Sequence, residues 1–319
     1  MTNAHSLDRF ALGEFKAAQE RISSVALRTP LIKLDCSDSD REVFLKLENL
    51  QPIGSFKIRC AANALARRAS PGSGTVSTAS AGNFAQGLAY AGRLMGVNVR
   101  TYVPQTAAEM KVSAMERLGA EVVRIPYSDW WAMLERPVDN PTFIHPVADL
   151  DVIIGNGTIA LEILEDLPDL ANVMAPYGGG GLSTGIALGL RAAGSNGQVI
   201  ACESEAGTPL TSALAAGKPV TVDFNPDTFI TGMGGPRVLD TMWPLTGQVI
   251  NDSAQVTLEE TASALRLLAE RHHIIAEGAG AVPVAAALKS SHPGPTVCIV
   301  SGGHLDTYHL ISVLRGETP

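Results

Sequence analysis

From residue 74 onward, short β-rich runs and longer helical runs take turns along the chain. GTVSTAS, NVRTYVP, EVVRI, TFIHP, NVMAPY, QVIACE and TVCIVSGG read as strands. GNFAQGLAYAGRLMG, AAEMKVSAMERLG, TIALEILEDL, LSTGIALGLRAA and TLEETASALRLLAERH read as helices between or beside them. A strand that returns parallel to its neighbour needs a crossover of this length, so the pattern predicts βαβ units and parallel sheet. Upstream, Leu12 to Val25 has Leu12, Phe15, Ala18 and Ile22 near one face, as an amphipathic helix would. EVFLKLE, Glu42 to Glu48, reads as another strand, and Ser55 as the N-cap of a helix through RCAANALARR. At 319 residues the chain is long enough for two such layers with a cleft between them. The Pro-Gly-Ser-Gly turn after Ser70 and the irregular segment Asp129 to Pro141 suggest a small unit over 71–147, inserted in a larger one made of 1–70 and 148–319.

The charge and cysteine patterns narrow the chemistry. The net charge is -8 with no long basic run, which argues against nucleic acid as a partner. Cys36, Cys60, Cys202 and Cys298 are scattered and form no CxxC pair, so neither a zinc site nor a disulfide framework is expected. A reducing cytoplasm is the default compartment. The N-terminus lacks the apolar core of a signal peptide, and no uncharged apolar run reaches membrane-spanning length.

Four segments carry the candidate site. In APYGGGGLSTG, Ala175 to Gly185, an apolar strand stops, four glycines follow and a helix begins. Glycines allow backbone N–H groups to turn toward one point, and a helix N-terminus adds partial positive charge there, which together suit a phosphate. The GK[ST] of a nucleotide triphosphate loop is missing. Lys57, in PIGSFKIR, stands one turn into a helix, where the macrodipole disfavours the charged amine. Taken alone, that lysine reads as a solvated surface charge, and its case rests on the other loops. STASAGNFAQG places Ser80, Gly82 and Asn83 at another helix start, suited to a carboxylate or phenolic oxygen, or to simple N-capping. IVSGGH ends the last apolar strand with Ser301 and two glycines, where parallel sheets collect ligands.

KLENLQPIGSFKIR, TASAGNFAQG, VIIGNGTIALEI, PYGGGGLSTG, AEGAGA and SGGH occur in this order from about Leu31 to His304. With them the chain resembles the pyridoxal-phosphate enzymes of the tryptophan-synthase-β fold type, and within those the threonine/serine dehydratases and serine racemases. The resemblance implies two open twisted α/β domains with the cofactor in the cleft (fold type II), and a homodimer. It implies that Lys57 holds pyridoxal 5'-phosphate as a Schiff base and moves the α-proton. Asn83 would meet the phenolic oxygen, and Gly178, Gly179, Gly180, Gly181 and Leu182 the phosphate. Ser301 would face the pyridine nitrogen. Ser80, Ala81 and Gly82 would hold the substrate carboxylate, with Ser55 and Phe84 beside them. The racemases carry a serine where this chain has Ala81, and that serine is their second acid/base group. Elimination from a β-hydroxy amino acid such as L-threonine or L-serine, giving a 2-oxo acid and ammonia, is therefore expected over racemisation. A specialised lyase for hydroxyectoine or hydroxyaspartate breakdown would show the same motifs. A β-replacement enzyme and a non-catalytic binder of the cofactor are the further alternatives.

The chain departs from the family pattern at four positions: Phe84 for His, Asn156 for Gln, His304 for Asn and Cys60 for Gly. Phe84 with Trp130 and Trp131 could shape a larger apolar pocket, or the Trp pair could be simple packing; His304 could be an acid/base group or a turn residue. Some relatives bind a divalent cation near the strand end that here offers Glu203 and Glu205, but Pro209 falls near the place of the third ligand, so no metal is expected. The chain stops soon after SGGH, at Pro319, so no effector domain of the biosynthetic dehydratase kind is expected.

Overall fold

In a computed structural model, residues 6–35, 41–136 and 138–319 are described; Cys36 lies outside them. The chain runs α1 (Leu12–Ile22), β1 (Leu31–Lys33), β2 (Val43–Lys46), α2 (Lys57–Arg68), β3 (Thr75–Ala79), α3 (Asn83–Met95), β4 (Asn98–Pro104), α4 (Glu109–Arg117), β5 (Glu121–Ile125) and α5 (Tyr127–Glu135). It continues through α6 (Leu150–Asp166), β6 (Asn172–Pro176), α7 (Gly181–Ala192), β7 (Gln198–Ser204), α8 (Pro209–Ala216), α9 (Trp243–Val249) and β8 (Asp252–Val256). The last elements are α10 (Leu258–His272), α11 (Gly278–Lys289), β9 (Thr296–Ile299) and α12 (Thr307–Leu314).

Two sheets form. The larger has the order β1-β2-β9-β6-β7-β8, and the smaller the order β3-β4-β5. Every pairing is parallel except β1 with β2. All of β6 and β9 is buried. Helices on both faces of a parallel sheet leave no solvated side, which is why these strands read as continuous apolar runs. The edge strand β8, Asp-Ser-Ala-Gln-Val, has only Val256 buried, so its sequence carries no apolar run to find.

Three segments differ from the sequence expectation. Helix α2 begins at Lys57, with Phe56 in the cap position and no side-chain cap. Ser55 is instead tied into extended backbone against Gly302, and the Phe56 N–H donates to the Ser301 carbonyl at 3.0 Å. That pairing delays the helix start by one residue. TFIHP makes only a bridge, Phe143 beside Ser77, and α6 starts early at Leu150 with Asp149 as its cap. The Gly155-Asn156-Gly157-Thr158 motif is consequently inside a helix. The segment read as irregular from Asp129 overlaps α5, with Asp129 in its first turn, where the helix dipole favours an acid.

Helices α6 and α7 meet backbone to backbone. A Cβ on Gly185 would fall 2.5 Å from the Ile153 carbonyl, and one on Gly189 2.6 Å from the Gly157 carbonyl. On Gly157 it would fall 2.2 Å from the Phe15 ring. Only glycine permits this approach, and it fixes the start of α7 relative to the rest of the large unit.

Candidate active site

Residues from both sheets enclose a cavity of about 400 Å³ at the C-terminal ends of β3, β6 and β9. Lys57, Asn83 and Gly181 are the first residues of α2, α3 and α7, and Glu277 is the N-cap of α11; all four line the cavity. Four helix N-termini thus point partial positive charge at one space.

Lys57 is partly exposed, and its Nζ stands 4.9 Å from the centre of the Phe56 ring. Burial holds its pKa below the ordinary lysine value, and neighbouring Cys60 and Glu277 oppose that shift. The cause of that shift is desolvation, where the sequence reading invokes the helix dipole.

The glycine run shapes the opposite end. Gly180 has φ +90°, and a Cβ there would meet the Tyr177 hydroxyl at 3.0 Å. A Cβ on Gly179 would lie 2.8 Å from the Val147 side chain, and on Gly178 3.1 Å from the Met233 backbone. The Asn156 Nδ2 donates to the Gly181 carbonyl at 3.0 Å. So the departure at Asn156 sits behind the loop and braces it. Bare backbone at a helix start, with no room for side chains, fits a phosphate monoester.

Ser80, Ala81, Gly82, Phe84, Leu182, Ser301 and His304 also line the cavity. Phe84 and Ser301 are buried. Ser55 is buried too but lies outside the lining; its Oγ accepts from the Lys57 N–H at 3.4 Å. Trp130 lines the cavity, whereas Trp131 stacks on Tyr127 with ring centres 6.2 Å apart. Glu203 accepts from the Leu210 and Thr211 N–H groups and the Thr211 hydroxyl at 2.8, 2.9 and 2.7 Å, and Glu205 accepts from the Leu258 N–H. Both carboxylates are engaged at helix starts. Among the described residues no group of three acidic, His or Cys side chains is placed to hold a metal ion, and no helix is long and apolar enough to cross a membrane.

The sequence reading missed Glu277. AEGAGA was noted as a motif, but its acid was given no task. Its Oε2 accepts from Asn83 Nδ2 at 3.4 Å. An acid inside a Gly/Ala run at a helix start was the available signal. Burial pushes its carboxyl up to about 7, against the pull of Asn83, the His304 backbone, Lys111 and Lys57. The unfolded chain sheds that proton in the ordinary glutamate range, while the folded chain keeps it until about 7. Stability therefore falls as pH rises through that window. In Glu277→Gln this contribution should vanish, shrinking the stability difference between pH 5 and pH 8 by roughly 3 kcal/mol. Urea midpoints at the two pH values measure it, and an unchanged difference would rule it out.

Residues 22–302 match the family of pyridoxal-phosphate dependent enzymes. The chain belongs to that family. Its relatives place it in the threonine/serine dehydratase group of those enzymes. It is 37% identical over 277 residues to an L-threonine ammonia-lyase of Geobacter sulfurreducens, covering 83% of this chain and 67% of that protein. The structure superposes on serine racemase from Dictyostelium discoideum with a TM-score of 0.82 at 30% identity, covering 93% of this chain and 99% of that one. On threonine deaminase isoform 2 from Solanum lycopersicum the TM-score is 0.86 at 28% identity, covering 98% and 89%. This is fold type II, as the motifs implied.

Proposed function

We propose that this enzyme removes the β-hydroxyl and then the amino group of a β-hydroxy amino acid, L-threonine or L-serine, releasing a 2-oxo acid and ammonia. The observation that carries the reading is what stands at two positions of the cavity lining. Lys57 supplies an amine with a lowered pKa, and the loop position that would bear a second hydroxyl is Ala81.

When bound, the cofactor supplies an electron-withdrawing ring that acidifies the α-carbon. Lys57 would hold the cofactor, and its Nζ would take the α-proton. Gly178 to Gly181 and Leu182 hold the phosphate with backbone N–H groups. Asn83, steadied by Glu277, would meet the phenolic oxygen with its amide. Ser301, just past the end of β9, would face the pyridine nitrogen, where its hydroxyl offers a hydrogen-bonding partner without a formal charge. Ser80, Ala81 and Gly82 cradle the substrate carboxylate at the start of α3. Phe84 and Trp130 bound the side-chain space. The unit 71–147 forms the substrate-side domain, and 1–70 with 148–319 forms the cofactor domain. A cytoplasmic homodimer completes the reading.

The test is a turnover screen of β-hydroxy amino acids in every α and β configuration, with chiral analysis of what is left. Ammonia and 2-oxo acid from L-threonine or L-serine are expected, with the remaining substrate unepimerised. No ammonia from any member of the panel would sink the dehydratase reading, and epimerised substrate would favour racemisation.

A further inference from the structure

The segment between the two sheets contains a histidine that is not part of the cavity lining. His145 lies between the Phe143 bridge and α6, and the next two residues, Pro146 and Val147, line the cavity. Upstream, the segment is fastened to β3. The Ile144 N–H donates to the Ser77 carbonyl at 2.8 Å, and the Thr78 hydroxyl donates to the Ile144 carbonyl at 2.8 Å. Downstream, Asp149 caps α6 and pairs with Arg68 of α2.

Between these anchors the imidazole makes three hydrogen bonds. Nδ1 accepts from the Val147 N–H at 3.1 Å and the Ala148 N–H at 2.8 Å. Nε2 lies 3.0 Å from the Leu134 carbonyl of α5. A ring nitrogen that accepts two N–H groups carries no proton, and a nitrogen facing a carbonyl must donate. Only the neutral tautomer with its proton on Nε2 satisfies all three bonds. Burial favours the neutral ring in the same direction, opposed by the Leu134 carbonyl and Asp149.

The two ends of that ring serve different walls. On the Nδ1 side, Val147 packs against Gly179, and its carbonyl lies 3.2 Å from where a Cβ on Gly181 would sit. On the Nε2 side, Leu134 and Trp130 of α5 line the cavity. We propose that His145 is a positioning residue that sets the cofactor-phosphate wall through Nδ1 and the substrate wall through Nε2. The proposal deepens the dehydratase reading only in using L-threonine as a probe.

Two isosteres separate the ends. His145→Asn keeps an acceptor near the Nδ1 position and loses the reach to Leu134. His145→Gln places an amide donor near the Nε2 position and loses the acceptor for Val147 and Ala148. In His145→Asn the KM for L-threonine should rise about tenfold at little-changed kcat, the size of one lost hydrogen bond. Its dissociation constant for pyridoxal 5'-phosphate, titrated by absorbance, should stay within about twofold. Acrylamide should quench its tryptophan emission more readily, since two of the three tryptophans are on α5. In His145→Gln the cofactor constant should weaken about tenfold, and the KM at saturating cofactor should stay near wild type. If both variants shift the same quantity, or neither shifts any, the proposal is overturned. Should the wild type not turn over L-threonine, the dehydratase reading fails, and cofactor titration and quenching still decide the role of His145.

Discussion

Lys57→Ala is expected to be colourless after dialysis against buffer and to lose kcat by about 10³-fold or more, the combined effect of a lost acid–base group and a lost covalent anchor. The wild type should hold a yellow chromophore through the same dialysis. Its borohydride-reduced form should carry the added mass on the peptide containing Lys57. The variant should remain folded, because Lys57 is the first residue of α2 and forms no salt bridge among the described residues. Alanine is also the better helix former. Retained colour with retained ammonia release would remove Lys57 from the mechanism.

The second large effect is on stability. Two residues after Lys57, Arg59 is wholly buried between two glutamates. Its Nε and Nη2 donate to the two Glu48 oxygens at 2.8 Å each, and its Nη1 and Nη2 donate to the Glu162 oxygens at 2.6 and 2.8 Å. Lys46 Nζ completes the group, 2.6 Å from Glu162 and 2.7 Å from the Thr29 carbonyl, and the Thr29 hydroxyl donates to Glu48 at 2.6 Å. Removing the guanidinium leaves two buried carboxylates facing one ammonium. Arg59→Leu should therefore lower unfolding stability by about 3–5 kcal/mol, read from the urea midpoint at pH 7. Desolvation alone would raise the Glu48 pKa, but the charge and hydrogen bonds of Arg59, with Thr29 and Lys46, hold it below the ordinary range. A depressed carboxyl stabilises the fold above its unfolded pKa and stops doing so as pH falls through its folded pKa. The variant should lack that acid-side loss. A change under about 1 kcal/mol would mean that the cluster is relieved by water or by proton uptake.

Much of this was legible in the chain. The alternation of apolar strands and amphipathic helices declared the parallel sheets, since each element buries a face that its own period reveals. The Gly178–Gly181 loop and Lys57 were visible because backbone approach and helix position leave local marks. The missing parts are those set by distant residues. Glu277 matters because its carboxylate meets Asn83, far away in sequence. Ser55 looked like a helix cap, but pairing with Gly302 claimed its backbone. Helix α5 has no buried residue, so no apolar stripe announced it, although its Trp130 and Leu134 reach the cavity. His145 carries no motif at all; its meaning lies in three backbone partners that only the fold supplies.

The backbone-to-backbone seating of α6 against α7 divides the molecule into a part that tolerates variation and a part that does not. At Gly157, Gly185 and Gly189 every added atom collides with main chain or with a packed ring. The seating of α7 is thus closed to gradual change, whereas Phe84, Trp130, Leu134 and Lys111 line the cavity with ordinary side chains. New substrate preferences can accumulate there one substitution at a time while the grip on the cofactor stays as it is. A library confined to those four positions should return folded, coloured protein at a far higher rate than one that touches the three glycines.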